Sequence, residues 1–489
     1  MGRGVGVGVH ARAALGVGRL VAEIRRLARP WTGAGLVLLA LGMVGVAAGG
    51  TPSSAGTGIA RNPTGATAAA TPIGMEQSRL ASLAPRQLAS LQSQLRCLAD
   101  QGRIPGAVVL VARDGKLIYH TEVGFQDVAT RVPMTRDTLF RLYSMSKPIT
   151  SVAVMMLLEE GKLALEDPLY RFVPEFRDAR VYVSGDVDHM VTEPLKRPIT
   201  IADLLTHTSG LTYHFMGETP VHQYYRKHGV KRDTPVGSLP TDAPAAPTLE
   251  ELVHRLAKAP LLHQPGQHFD YSYSTTVLGY VVERASGVSL DRFLQDRLLG
   301  PLGMRHTGFF VTGPALDHLV TNYLWTGSEL KAIETRETTD YRDPHRLLDG
   351  GGALAATADD YLRFAQMLVN GGELDGVRIL KPETVALMMR DHLPAAAGDQ
   401  GMIPGVPFEF GYGFAVGNAS TAREGLFPDG AVGWDGSGNT FFWVDPGKKR
   451  VTVFMTQVIA PKGPPEPLKK LVYRAVYGEG AVTSHRRCR

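Results

Sequence analysis

Ser144-Met145-Ser146-Lys147-Pro148-Ile149-Thr150-Ser151-Val152-Ala153-Val154-Met155-Met156-Leu157-Leu158-Glu159-Glu160-Gly161 is the stretch that decides how this chain folds. Ile149, Val152, Ala153, Met156 and Leu157 recur at i, i+3, i+4, i+7 and i+8, which is the spacing of a helix. Val154, Met155 and Leu158 fill the other side, so the helix has almost no polar face and belongs in the interior, with Gly161 as its stop. Pro148 is compatible only with the opening turn. Ser144 then stands at the mouth of the helix, near unpaired backbone N–H groups, and Lys147 lies three residues on within reach of its hydroxyl. A nucleophile beside a base is one reading; a helix-capping serine with a surface lysine is the other.

The Ser-x-x-Lys pattern occurs twice. Ser328-Glu329-Leu330-Lys331 repeats it after Trp325-Thr326-Gly327, in a polar, turn-like stretch with no apolar helix behind it, and we read that copy as coincidence.

With 489 residues, 44% of them hydrophobic, the chain can bury a large core. Its net charge of +5 is concentrated at one end: six arginines against one glutamate in residues 1–50 leave a body of 46 basic and 46 acidic residues. A neutral body with no interleaved basic and aromatic run gives nucleic acid no electrostatic footprint. Cys97 and Cys488 are the only cysteines, so no disulfide framework is called for.

Arg25, Arg26 and Arg29 precede an uncharged apolar stretch, residues 33–49, which reads as an export signal or membrane anchor within residues 1–50. Its small residues Ala47, Ala48, Gly49 and Gly50 favour cleavage, giving a periplasmic or secreted protein; anchoring in the inner membrane and an organellar transit peptide are the alternatives. Residues 51–77 read as a flexible linker, 78–480 as one domain and 481–489 as a disordered tail. Within the domain, 106–112 and 116–123 are β-rich runs joined at Arg113-Asp114-Gly115, a hairpin signal. Residues 440–444 and 450–456 alternate as strands around Asp445-Pro446-Gly447. Helical spacing covers 80–98, 199–205, 249–261, 275–286, 290–299, 357–370, 381–389 and 467–477, while 213–247 is long enough to be a lid. Strands at both ends with helices between imply an α+β fold: one antiparallel sheet closed by early and late segments, flanked by helices and interrupted by a helical insert.

Two further motifs join Ser144 and Lys147. Phe269-Asp270-Tyr271-Ser272-Tyr273-Ser274 follows a Pro265-Gly266 turn, and Gly433-Trp434-Asp435-Gly436-Ser437-Gly438 opens a late strand. In this order the three motifs resemble the serine β-lactamase and penicillin-binding superfamily, most closely its class C β-lactamase-like branch and the family VIII carboxylesterases. The resemblance runs from about residue 98 to about 477 and is supported by residues 204–211, Gly350-Gly351-Gly352-Ala353-Leu354 and Gly300-Pro301-Leu302-Gly303-Met304. It implies a β-lactamase/transpeptidase-like fold, Ser144 as acylated nucleophile, Lys147 as proton acceptor, and Tyr271 as the shuttle to the leaving group. The backbone N–H groups of Ser144 and Ser437, the latter after Gly436, would form the oxyanion hole. A buried lysine is a base near neutral pH only if burial or a cationic neighbour lowers its pKa.

Two departures from the lactamase pattern bear on the substrate. Tyr273 stands where those enzymes carry Asn, and Trp434-Asp435-Gly436 replaces their Lys-Thr-Gly, close to the Trp-Gly-Gly of the esterases. A lactam carboxylate thereby loses its cation and is expected to meet repulsion from Asp435, whereas Trp434 is expected to offer a neutral acyl ester an apolar wall. The expected function is an exported serine hydrolase that cleaves or transfers acyl esters, with a small-molecule ester or amide as partner. A β-lactamase or D-amino-acid peptidase, and a catalytically idle scaffold, are the alternatives. His207 reads as a turn brace, and Gly350-Gly351-Gly352 as a flexible segment near the site. No His-Glu dipeptide or ligand-spaced cluster suggests a metal, no cofactor motif is present, and no Gly-x-Ser-x-Gly elbow occurs. The oligomeric state is not legible.

Overall fold

The computed structural model describes residues 85–232, 243–397, 409–461, 463–464 and 467–478. The expected export segment, linker and tail lie outside the described residues, and among the described ones no helix is long and apolar enough to cross a membrane.

An eight-stranded antiparallel sheet forms the frame. In chain order its strands are β1 (Gly106–Arg113), β2 (Lys116–Asp127), β3 (Val132–Pro133), β4 (Glu409–Phe410), β5 (Ala415–Val416), β6 (Val432–Gly436), β7 (Thr440–Asp445) and β8 (Arg450–Met455). In space they run β4-β5-β6-β7-β8-β1-β2-β3, so the early hairpin is joined to the late strands by the β1–β8 seam, from Val108 opposite Met455 to Arg113 opposite Arg450. β1 is buried at every position but its last, as an apolar run covered on both faces must be. The two-residue turn between β1 and β2 has Asp114 and Gly115 at φ of 50° and 75°, the left-handed pair that matches strand twist.

Helices α1 (Pro85–Asp100), α2 (Ser146–Glu159), α3 (Ile201–Leu205), α4 (Leu249–Lys258), α5 (Ser274–Ser286), α6 (Ala358–Val369) and α7 (Leu468–Tyr477) complete the frame. α1 lies on β1 and β2 and against α7; α6 packs on β1, β7 and β8; α2 packs against α5 within the insert. Every residue of α2 from 146 to 157 is buried. Its end is a two-bond cap: Gly161 N–H donates to Leu158 O at 2.9 Å and Lys162 N–H to Leu157 O at 3.0 Å, with Gly161 at φ 68°.

Three elements depart from the expected pattern. The 213–247 stretch, read as a candidate lid, contains a helix that spacing did not reveal: Pro220–Lys227, with Pro at its first turn and Val221 and Tyr225 buried. Its inward face joins Val221 to His222 and Tyr225, a mixed pattern that hydropathy spacing does not pick out. Asn322–Trp325 and Leu330–Glu334 form a hairpin that Val458–Ile459 joins in parallel, and Arg180–Ser184 pairs with Val191–Pro194. Each of these strands has only two to five residues, too few for alternation to be read.

Candidate active site

Ser144 sits two residues before α2, in the 3-10 turn Tyr143–Met145. Tyr143 has φ 45°, a left-handed conformation costing a side-chain-bearing residue about 1–3 kcal/mol. Its surroundings hold it there: Leu142 N–H donates to Leu354 O at 2.9 Å, the Tyr143 hydroxyl accepts from Asn322 Nδ2 at 2.7 Å, and Tyr361 Oη donates to Met145 O at 2.9 Å. The turn leaves Ser144 half-buried at the head of a helix that is otherwise interior.

Lys147 Nζ lies 3.2 Å from Ser144 Oγ and donates to Gly351 O at 2.8 Å. Burial pulls the amine down to about 7; Asp349 opposes that shift and Arg232 adds to it. The Tyr271 hydroxyl shares a hydrogen bond with Ser144 and accepts another from Trp434 Nε1 at 3.3 Å, while its own burial holds its pKa well above that of a free phenol. The Lys147 amine stands 4.6 Å from the Tyr271 ring centre and 5.5 Å from that of Tyr213. Serine, amine and phenol thus form one hydrogen-bonded cluster, with the phenol protonated and the amine able to lose its proton near neutrality.

β6 brings Trp434 to this cluster. Its ring lies 5.5 Å from Tyr271 and 5.2 Å edge-on to Phe410. The indole is buried and acts as a hydrogen-bond donor to the phenol as well as an apolar neighbour. Gly436 ends the strand against the nucleophile turn: a Cβ there would meet Leu142 O at 2.4 Å and Thr440 Oγ1 at 2.3 Å. Only glycine permits that approach, which carries Ser437 into the turn beside residues 142–144.

Two expectations about substrate-facing groups need correction. Asp435 does not face the cluster. Alternation along β6 turns it to the side opposite Trp434, where both carboxylate oxygens accept from Lys469 Nζ of α7 at 2.7 and 2.8 Å, so its charge is matched. Tyr273 is engaged elsewhere: its hydroxyl bonds His214 Nδ1 at 2.9 Å, and its ring stands edge-on to Tyr213 at 4.3 Å. A second aromatic group beside Lys147, after Tyr271, is Tyr213, which sequence reasoning passed over inside the 213–247 stretch.

His207 has φ 56° and is buried; its backbone carbonyl accepts from Asp270 N at 2.8 Å and its Nδ1 meets Ser272 Oγ at 3.0 Å. Burial and the neighbouring lysine depress its pKa, so a neutral imidazole braces the Tyr271 loop. Among the described residues no group of His, Cys, Asp and Glu is placed to hold a metal ion.

Comparison with known proteins places the chain in a family. The family model described as Beta-lactamase matches residues 91–474. Protein Rv1367c of Mycobacterium tuberculosis is 38% identical over 376 residues, covering 75% of this chain and 89% of that one. Esterase EstB of Burkholderia gladioli is 33% identical over 411 residues, 80% of this chain and 96% of its own. The solved structure of EstCE1, described as a hydrolase with promiscuous acyltransferase activity, superposes with a TM-score of 0.65 at 32% identity, covering 80% of this chain and 100% of its own.

Proposed function

The chain belongs to the β-lactamase family, within the serine β-lactamase and penicillin-binding superfamily and alongside family VIII esterase relatives, and we propose that it is a serine hydrolase that cleaves or transfers simple acyl esters through an acyl-enzyme. The observation that carries the reading is the buried Lys147 amine, lowered to about 7, 3.2 Å from Ser144 Oγ. A serine hydroxyl is a weak nucleophile until a base takes its proton, and an amine of that proton affinity is half neutral at pH 7.

As Ser144 Oγ attacks the ester carbonyl, its proton passes to Lys147. The carbonyl oxygen gathers negative charge, for which the N–H groups of Ser144 and Ser437 are the candidate donors. Collapse breaks the C–O bond to the alcohol, which takes the Tyr271 phenol proton while Lys147 returns its proton to Tyr271, so the amine is neutral and the phenol, hydrogen-bonded to Ser144 and Trp434, is protonated again. Water or a second alcohol then attacks the acyl-serine by the same steps in reverse, giving hydrolysis or acyl transfer. The esterase EstB and the acyl-transferring hydrolase EstCE1 support both outcomes.

Substrate preference follows from Trp434. Where lactamases place a lysine, this chain places a neutral N–H already engaged by Tyr271, so a lactam carboxylate finds no partner there. Losing a charge-assisted hydrogen bond costs roughly 1.5 to 3 kcal/mol, about ten- to a hundredfold in rate. A short-chain aryl ester is therefore expected to show a higher kcat/KM than a chromogenic cephalosporin, and Trp434→Lys to narrow the gap. A wild-type enzyme that prefers the cephalosporin would overturn the esterase reading in favour of a lactamase.

We also propose export, supported by the arginine-flanked apolar stretch at 33–49. Mature protein is expected to begin between residues 49 and 54; N-terminal sequencing that finds residues 1–48 on a membrane-bound form would indicate an anchor instead.

A further inference from the structure

Gly350-Gly351-Gly352, expected to be flexible, is pinned at every carbonyl. Gly350 O accepts from Thr150 Oγ1 at 2.8 Å, Gly351 O from Lys147 Nζ at 2.8 Å, and Gly352 O from Arg232 Nη2 at 2.8 Å. The glycines serve close approach: a Cβ on Gly350 would stand 2.8 Å from Thr150 Oγ1, and one on Gly351 would stand 2.7 Å from Thr276 Oγ1. Asp349 fixes the middle of the ribbon, its Oδ1 accepting from Gly351 N at 2.8 Å and Thr276 Oγ1 at 2.6 Å. Its Oδ2 meets Arg232 Nε at 3.0 Å, and the two side chains are only 6% and 11% exposed.

This arrangement matters for the amine. A neutral lysine has two N–H bonds and one lone pair. Committing an N–H to an immobile carbonyl limits rotation about the Cε–Nζ bond and lets the lone pair face Ser144. The ion pair is weak evidence for stability, because desolvating two charges offsets their attraction. Its place beside the base is better explained by what it does there. The groups facing Lys147 are Ser144, the phenols Tyr271 and Tyr213, whose burial keeps them protonated, the neutral His207, and the charged Asp349 and Arg232.

We propose that Asp349 and Arg232 are positioning residues for Lys147: Asp349 holds the Gly351 N–H and with it the residue whose carbonyl orients the amine, and Arg232, paired with that carboxylate, offsets part of its pull on the amine's proton. The inference rests on the acyl-enzyme reading and adds to it two residues that act on Lys147 through Gly351 and through charge. Removing the positive charge leaves Asp349 unopposed and strengthens proton binding by Lys147. Removing the negative charge does the reverse.

The test is the pH dependence of Ser144 labelling by a fluorophosphonate, with folding followed by circular dichroism. Arg232→Gln, which can still donate to Gly352 O, is expected to move the acid limb of the labelling rate up by about one pH unit. Asp349→Asn, which keeps an acceptor for Gly351 N, is expected to move it down by a similar amount and to lower the plateau. The double variant is expected to return the limb to within about half a unit of the wild type, and Arg232→Lys to leave it near there. Either single variant decides the sign if the other does not fold. Folded variants whose limbs stay put, or both move the same way, would overturn the proposal, since a purely structural role changes the amount of active protein without moving the limb. A wild type that labels at Ser144 at no pH would instead overturn the acyl-enzyme reading beneath it.

Discussion

The two Ser-x-x-Lys segments have the same four-residue pattern and opposite surroundings. Ser144 and Lys147 lie across a tight turn and the start of a helix, where residues three apart share a face, and the amine is 1% exposed. Ser328 lies in the exposed turn between Asn322–Trp325 and Leu330–Glu334, its hydroxyl 3.3 Å from Thr326 Oγ1, while Lys331 sits in a strand, where residues three apart point to opposite faces. Spacing alone therefore carries no chemistry. The helix supplies the approach, and the dry interior lowers the amine's proton affinity.

The largest effect that would break the comparison is on the serines. Ser144→Ala is expected to abolish acyl-ester turnover, and Ser328→Ala to leave kcat/KM unchanged, in a steady-state assay with a short-chain aryl ester. Next come the proton carriers: Lys147→Ala and Tyr271→Phe are each expected to lower kcat by about 10²- to 10⁴-fold with little change in KM, as groups that move protons in the transition state do. Lys331→Ala should match wild type; equal losses from both lysines would erase the distinction between the segments.

A pH profile sharpens the account of why burial matters. Lys147 must be neutral to act, so kcat/KM should fall about tenfold per unit below pH 7 and level off above it. Because burial raises the Tyr271 pKa above that of a free phenol, no alkaline loss is expected below pH 10. An acid limb centred near pH 5 would point to a carboxylate base instead. The smallest effect is expected at Trp434→Phe, which keeps an aromatic ring but deletes the N–H to Tyr271. A net hydrogen bond of about 0.5 to 1.5 kcal/mol corresponds to a loss of roughly two- to thirteenfold in kcat.

Much of the fold could be read because its decisive elements are long and apolar. α2, β1 with β2, and β7 with β8 each run over six residues or more. The hairpins at 180–194 and 322–334 escaped because their strands are short. At the site, Ser144, Lys147, Tyr271 and Trp434 stood out through their motifs, and the structure brings these four together. Asp435 was misread although strand alternation already set it on the face opposite Trp434. Tyr273 was misread because its neighbour Tyr213 comes from sixty positions earlier and lies between it and the Lys147 side of the site, beside Tyr271. Arg232 and Asp349 could not have been paired from spacing: they are 117 positions apart, and the Gly-rich motif drew attention to backbone freedom rather than to the carboxylate before it.

The most direct test of the central claim is peptide mapping of one protein sample after fluorophosphonate treatment at pH 8. A single adduct on the peptide containing Ser144, absent in Ser144→Ala and slowed at least about a hundredfold in Lys147→Ala, is the predicted result. Adduct on Ser328, or labelling of Ser144 at the same rate without Lys147, would contradict it.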